Sequence, residues 1–126
     1  MAVEGAMRSW TFIAGGTIVA YTWVKLSANN TVVACSGVTD KPIGVAQEAA
    51  SSGQAVQVCI DGITKLEGDA DLSAGNSIGT SADAQAAAYS ASDTTKHICG
   101  QVLIDNGAAG GLITAAINCS NLRTLA

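Results

Sequence analysis

Few residues of this sequence could take part in catalysis or metal binding, and their spacing favours neither. The one histidine, His97, could pair with Cys99 or with a nearby serine, but no third group is placed to orient its ring. Zinc sites need cysteines and histidines at close, regular spacing, and the chain has no C-x-x-C pair. We therefore expect His97 to be an exposed histidine at the edge of a strand.

A second candidate is the acidic stretch DADLS, which begins at Asp69 and resembles the start of a calcium-binding loop. Its sixth position holds Ala74 where such a loop requires glycine, and its twelfth holds Thr80 where a bidentate glutamate is required. The glycine-rich stretches match neither of the phosphate-binding patterns G-x-x-x-x-G-K-[ST] and G-x-G-x-x-G. The sequence thus predicts no catalytic, cofactor-binding or metal-binding residues, and a protein that is not an enzyme.

The cysteines leave the redox state open. The chain has four of them: Cys35, Cys59, Cys99 and Cys119. An even number in a secreted domain would indicate two disulfides, whereas in a reducing cytoplasm the same residues act as small hydrophobic side chains. We expect the second case and keep a secreted, disulfide-linked β-domain as an alternative. Cys99 and Cys119 are expected to approach each other in a hairpin described below.

Composition argues against two classes of partner. The net charge is −4 and the six basic residues are scattered, so no basic patch can neutralise phosphates and nucleic acid is not expected to bind. Two long uncharged stretches, residues 9–24 and 106–122, are interrupted by polar residues and glycines, so neither predicts a membrane span or a signal peptide. Charged residues make up only 13% of the chain, about half the usual share. We therefore expect a partner to cover much of the surface.

The elements that hold these residues are predicted to be β-strands. Residues 1–9 have no clear period, but from Trp10 the sequence WTFIAGGTIVAYTWVKL is rich in aromatic and β-branched residues, with a glycine pair as a turn. We expect an N-terminal arm over residues 1–14 and a single β domain over residues 15–126. The stretch SADAQAAAY, residues 81–89, could instead form one or two helical turns.

Two segments, residues 43–60 and 98–118, resemble each other and predict related hairpins. A glycine stands near the start of each, Gly44 and Gly100, and Asp61-Gly62 is expected to be the turn that ends the first. Their returning strands alternate with a period of two: Val56, Val58 and Ile60 in the first, and Ile113, Ala115 and Ile117 in the second. The predicted fold is all-β, a small β-barrel or β-sandwich built from two related hairpin units with an extended N-terminal arm.

Residues 20–65, AYTWVKLSANNTVVACSGVTDKPIGVAQEAASSGQAVQVCIDGITK, resemble a signature stretch of small capsid decoration, or cement, proteins of tailed bacteriophages. The shared features are a VKL strand, an NTVV strand after a turn, a D-x-P-I-G-V-A strand and a V-x-V-x-I-x-G strand. The resemblance implies a β-rich protein on the outer surface of the virion capsid, made in the host cytoplasm. It would bind the major capsid protein where its subunits meet, as a homotrimer, and would stabilise the shell. The four cysteines and the aromatic N-terminus depart from the family.

The N-terminal arm is the expected capsid-binding segment. We predict that it pairs as an extra strand with a capsid edge, through Met7, Arg8, Trp10 and Phe12, with the two aromatic residues as anchors. The aromatic residues could equally belong to the core. Two other functions stay open: another structural β-module of the virion, such as a head fibre base or tail component, and a small hydrolase or ligand-binding barrel organised around His97.

Overall fold

The computed structural model describes residues 5–90, 92–93 and 95–120, and the backbone of residues 123–124. All the regular elements in these residues are β-strands, which confirms the predicted all-β class. The strands are β1 (Met7–Ala14), β2 (Trp23–Ala28), β3 (Thr31–Ala34), β4 (Gly44–Ala46), β5 (Ala55–Glu67), β6 (Ser77–Thr80), β7 (Ala86–Ala88), β8 (His97–Ile98), β9 (Gly100–Ile104), β10 (Leu112–Asn118) and β11 (Arg123–Thr124).

The first five strands close into a small barrel. Their order is β1-β3-β2-β4-β5, and β1 pairs back onto β5 to complete the ring. The pairing of β1 with β3 is parallel and short, whereas β1 and β5 run antiparallel from Met7 to Ile13. Closure of a sheet on itself removes most of its exposed edges.

A second ring follows and shares β5 with the first. β5 is 13 residues long, so its second half extends beyond the barrel and pairs with β10. The sheet continues in the order β10-β9-β6-β7, and a single parallel bridge between Gly68 and Ala86 brings the end of β5 back to β7. β8 and β11 form a separate two-stranded sheet.

The two rings repeat the same pairing register. In the first unit, residues 7–60, Val24 of β2 lies opposite Gly44 of β4. In the second unit, residues 61–118, Ile78 of β6 lies opposite Gly100 of β9 in the same way. The hairpins β2–β3 and β6–β7 also correspond, and so do β4–β5 and β9–β10. The two related hairpins predicted from sequence are therefore confirmed.

The repeated glycines have a steric cause. A Cβ on Gly44 would lie 2.2 Å from the carbonyl oxygen of Cys59, and one on Gly100 would lie 2.3 Å from that of Ala116. Real Cβ atoms do not approach backbone so closely, so each hairpin needs a residue without a side chain at this point.

Left-handed backbone recurs at the same places in both units. Positive φ angles are rare outside glycine, and here they fall at corresponding turns. The pairs are Tyr21 (φ 61°) with Gly75 (92°), Asn30 (53°) with Ala84 (63°), and Gly53 (87°) with Gly110 (82°). The shared registers and turns together show that the two units are structural repeats of each other.

The structure has two cores, and the second contains buried side chains from both units. The first core holds Phe12, Ala14, Ile18, Val24, Val32, Ala46, Ala50, Val56 and Val58. The second includes Leu66, Leu72, Ile78, Val102, Ile113 and Ala115 of the second unit. Trp23 comes from the first unit but is buried in this second core, where its Nε1 donates a hydrogen bond to the carbonyl oxygen of Gly79 at 3.0 Å.

The structure departs from sequence expectation in three places. Asp61-Gly62 is not a turn: β5 runs through it. Gly62 has a φ of 131°, and its lack of a Cβ leaves room for the carbonyl oxygen of Ala6. Residues 81–89 contain a turn and β7 in place of the alternative helix, because β6 offers Ala86–Ala88 an open edge. Within the expected arm, Met7–Ala14 form β1 and belong to the first barrel, because β5 supplies a matching antiparallel edge. Residues 1–4 of the arm lie outside the described residues.

Candidate functional site

The four side chains predicted to bind the capsid occupy different environments. Phe12 is 6% exposed and packs in the first core, and Met7 is half-buried against the second core. Arg8 and Trp10 are exposed on β1. Only Arg8 and Trp10 are therefore available to touch a partner while the barrel remains folded.

Trp10 is an exposed aromatic side chain in a fixed position. It is 59% exposed, the largest value among the exposed large hydrophobic side chains of the described residues. Its Nε1 donates a hydrogen bond to Oδ1 of Asn30 at 2.9 Å. Asn30 sits in the β2–β3 turn with a φ of 53°, a conformation that asparagine tolerates better than most residues. The indole is thus held ready for contact and loses little freedom when a partner covers it.

A groove of about 320 Å³ lies beside this indole. It is lined by Arg8, Ser9, Trp10, Ile60 and Ser120, which come from β1, β5 and the residues after β10. The register of β1 against β5 shifts between Arg8 and Ser9, a bulge that re-aims the side chains at this point. Arg8 is held at one wall because its Nη2 lies 2.8 Å from Oδ2 of Asp61.

One edge of β1 is open next to the groove. Residues 7–13 pair with β5 on one side, but pairing with β3 on the other side begins only at Ile13. The Asn30 side chain reaches this side of β1, where its Nδ2 donates to the carbonyl oxygen of Thr11 at 3.4 Å. This edge could accept a strand from a partner.

The sequence predicted the β1 side of this groove, with Arg8 and Trp10, but not the opposite side, with Ile60 and Ser120. Ile60 was assigned only to the alternating face of its hairpin, and Ser120 gave no signal, because both reach the groove through long-range pairing. A turn was expected before the NTVV strand, but nothing in the sequence links Asn30 in that turn to Trp10.

The residues considered for chemistry form no reactive cluster. Burial lowers the pKa of His97, and the charge of Lys41 lowers it further. Within residues 5–90, 92–93 and 95–120, no three His, Cys, Asp or Glu side chains group closely enough to hold a metal ion. In the same residues, no helix is long and apolar enough to cross a membrane.

All four cysteines are buried, and none of them is part of a disulfide. Burial raises the pKa of Cys35 to about 12. A thiol of that kind reacts slowly, since the thiolate is the reactive form. Neither the cysteines nor His97 thus offers a nucleophile paired with a base.

Comparison with known proteins identifies the fold. No protein-family model and no curated protein matches the chain. Among solved structures, the chain is similar to the head fibre gp8.5 N base in bacteriophage phi29, with a TM-score of 0.69. The match covers 90% of this chain and 96% of that one at 19% sequence identity. At that identity, the likeness shows that the two chains share a fold.

Proposed function

We propose that the protein is a structural module on the outer surface of a bacteriophage head, of the head fibre base type, and not an enzyme. The observation that carries this proposal is the fold similarity to a phage head fibre base across nearly the full length of both chains. We propose that this chain binds the major capsid protein and acts without a cofactor.

The exposed surface supports an adhesive role. The chain is poor in charge, at 13%, and an apolar groove beside a fixed indole is the kind of anchor that dominates many protein interfaces. We assign Arg8, Trp10 and Ile60 to the capsid-binding surface, with the open edge of β1 beside them. Copies of the chain on a shell would act together, so the affinity of each site can be modest.

A second candidate, a cement protein that reinforces the shell, is favoured by the resemblance of residues 20–65 to decoration proteins. In both cases we propose a homotrimer at positions where capsid subunits meet. The two functions predict different properties for particles that lack the protein.

Electron microscopy of particles labelled with an antibody against this chain tests the location. We expect label on the outside of heads and none on tails. Label confined to tails, or absent from intact particles, would overturn the proposal. Particles that lack the protein then separate the two candidates: a fibre base leaves the heat resistance of heads unchanged, whereas a cement protein lowers it.

The binding surface is tested by Trp10→Ala. We expect the variant to bind purified heads that lack the protein at least about 30-fold more weakly, because a central aromatic anchor contributes about 2 kcal/mol or more. Leu103→Ala is the matched control, since Leu103 is 43% exposed on β9 of the second unit, and it should bind normally. Co-sedimentation with heads measures both. Equal binding by Trp10→Ala and the unaltered protein would contradict the assignment of this surface.

A further inference from the structure

Two of the buried cysteines are neighbours across a strand pair. The backbone N–H of Asn118 donates to the carbonyl oxygen of Cys99 at 2.8 Å, so Cys119 follows directly after a residue paired with Cys99. Both side chains are buried in the second core, and the nearby Cys99 side chain contributes to the raised pKa of the Cys119 thiol. The approach of Cys99 and Cys119 predicted from the hairpin is thus confirmed.

A cavity borders one member of this pair, Cys99. It has a volume of about 410 Å³ and is lined by Cys99 and its neighbours on β8, β9 and β10, including Gln101 and Asn118. Cys35 and Cys59 do not line it. Cys99 is therefore the cysteine that a reagent entering this cavity meets first.

We propose that Cys99 and Cys119 are a disulfide-forming site that reacts with a low-molecular-weight disulfide. The thiolate of Cys99, its proton released to solvent, attacks one sulfur of the reagent, and one small thiolate leaves and takes up a proton. Cys119, deprotonated in turn, attacks the Cys99 sulfur and expels the second small thiolate. Two protein thiols are oxidised to one disulfide while one small disulfide is reduced to two thiols.

The bond would tie the start of β9 to the residues that follow β10. It would remain open in a reducing cytoplasm and would close in an oxidising medium outside the cell. The nearby Cys99 side chain, together with burial, raises the pKa of the Cys119 thiol well above its usual value. The second step is therefore slow at neutral pH and becomes faster as the pH rises.

Peptide mapping after exposure to oxidised glutathione tests the site on the folded full chain. The protein is oxidised, denatured in the presence of iodoacetamide so that every remaining thiol is alkylated, and cut with trypsin. Cleavage after Lys96 and Arg123 releases residues 97–123, which contain Cys99 and Cys119. Residues 26–65 form another peptide, because the Lys41-Pro42 bond resists trypsin, and it contains Cys35 and Cys59 as an internal control.

We expect peptide 97–123 to lose both alkylation sites and to be lighter than its reduced form by two hydrogen atoms, while peptide 26–65 stays fully alkylated. Cys119→Ser should instead accumulate glutathione on Cys99, and Cys59→Ser should behave like the unaltered protein. Full alkylation of Cys99 and Cys119, or a bond that involves Cys35 or Cys59, would overturn the proposal. This outcome is independent of whether the protein binds heads.

Discussion

Asp40 shows how a single side chain organises a loop of this charge-poor molecule. Its Oδ2 accepts hydrogen bonds from the backbone N–H groups of Ser36 at 2.8 Å and Gly37 at 3.0 Å, and from Nζ of Lys25 at 2.9 Å. Burial alone would raise the pKa of Asp40, but these donors outweigh it and lower the pKa below its usual value. The folded state therefore favours the charged carboxylate.

Asp40→Asn is expected to lower the free energy of unfolding by about 1–2 kcal/mol at pH 7, since charge-assisted hydrogen bonds are lost. A carboxyl whose pKa is lowered by folding stabilises the protein above its unfolded value of 3.8, and this contribution disappears as the pH falls through the lower folded value. Urea unfolding at pH 7 and at pH 3 should show the difference shrinking.

The matched control for this loop is Asp93→Asn in the second unit. Asp93 accepts a backbone hydrogen bond from Ser90 at 2.8 Å, like Asp40 from Ser36, but no ion pair with a lysine is seen for Asp93 in the described residues. We expect a smaller loss than for Asp40→Asn. Equal stability of Asp40→Asn and the unaltered protein at pH 7 would show that these donors contribute nothing.

The sequence alone does not show which of Trp10 and Phe12 is exposed and which is buried. The two side chains are both aromatic, are two residues apart on β1, and point to the same face of the strand. Phe12 reaches the closed part of the barrel and is buried, whereas Trp10 lies beyond it and is exposed. That difference depends on where β1 meets β5, a pairing between residues more than 40 positions apart in sequence.

The strands and turns follow local sequence wherever a hairpin is short. Alternation in Val56–Ile60 and in Ile113–Ile117 predicted the returning strands, because side chains on one face of a strand meet one core. The length of β5 was not predictable in this way. Asp61-Gly62 has the composition of a turn, and only its pairing with β1 on one side and β10 on the other keeps it extended.

The turn between β4 and β5 allows the energetic cost of a left-handed backbone conformation to be measured without a steric clash. Gly53 has a φ of 87°, and a Cβ built there meets nothing within 4 Å. Gly53→Ala should therefore destabilise the protein by about 1–2 kcal/mol through the left-handed conformation alone. Its counterpart Gly110→Ala, with a φ of 82°, should cost a similar amount.

Gly16→Ala is the matched control for this prediction. A Cβ at Gly16 also meets nothing within 4 Å, but the backbone there is not left-handed. We expect a gain of about 0.4–1 kcal/mol, because alanine reduces the freedom of the unfolded chain. Thermal unfolding measures all three variants, and a loss for Gly16→Ala equal to that for Gly53→Ala would refute the conformational explanation.

The whole molecule consists of two structural repeats that share a strand and part of a core. β5 is the last strand of the first ring and the first strand of the second, and Trp23 of the first unit fills the second core. From sequence, two related hairpins were visible, but the correspondence of the other strands was not, because their residues differ while their registers agree. Loss of packing in either core should therefore destabilise both units.

We expect a single cooperative unfolding transition. Ile18→Ala in the first core and Ile113→Ala in the second should each lower the free energy of unfolding by about 2–5 kcal/mol and move the same transition. Leu103→Ala, on the surface, should change it by less than about 0.5 kcal/mol. Differential scanning calorimetry with circular dichroism measures this, and two separable transitions, each moved by one variant, would contradict it.

The unbroken course of β5 also has a mechanical meaning. Thirteen residues of extended backbone span about 44 Å, and they cross from one ring to the other without a flexible joint. With the first unit bound to the capsid as proposed, whatever the second unit carries is held at a constant height and angle above the capsid surface. Such a molecule is mechanically stiff, and a force applied to the second unit is transmitted to the first with little bending.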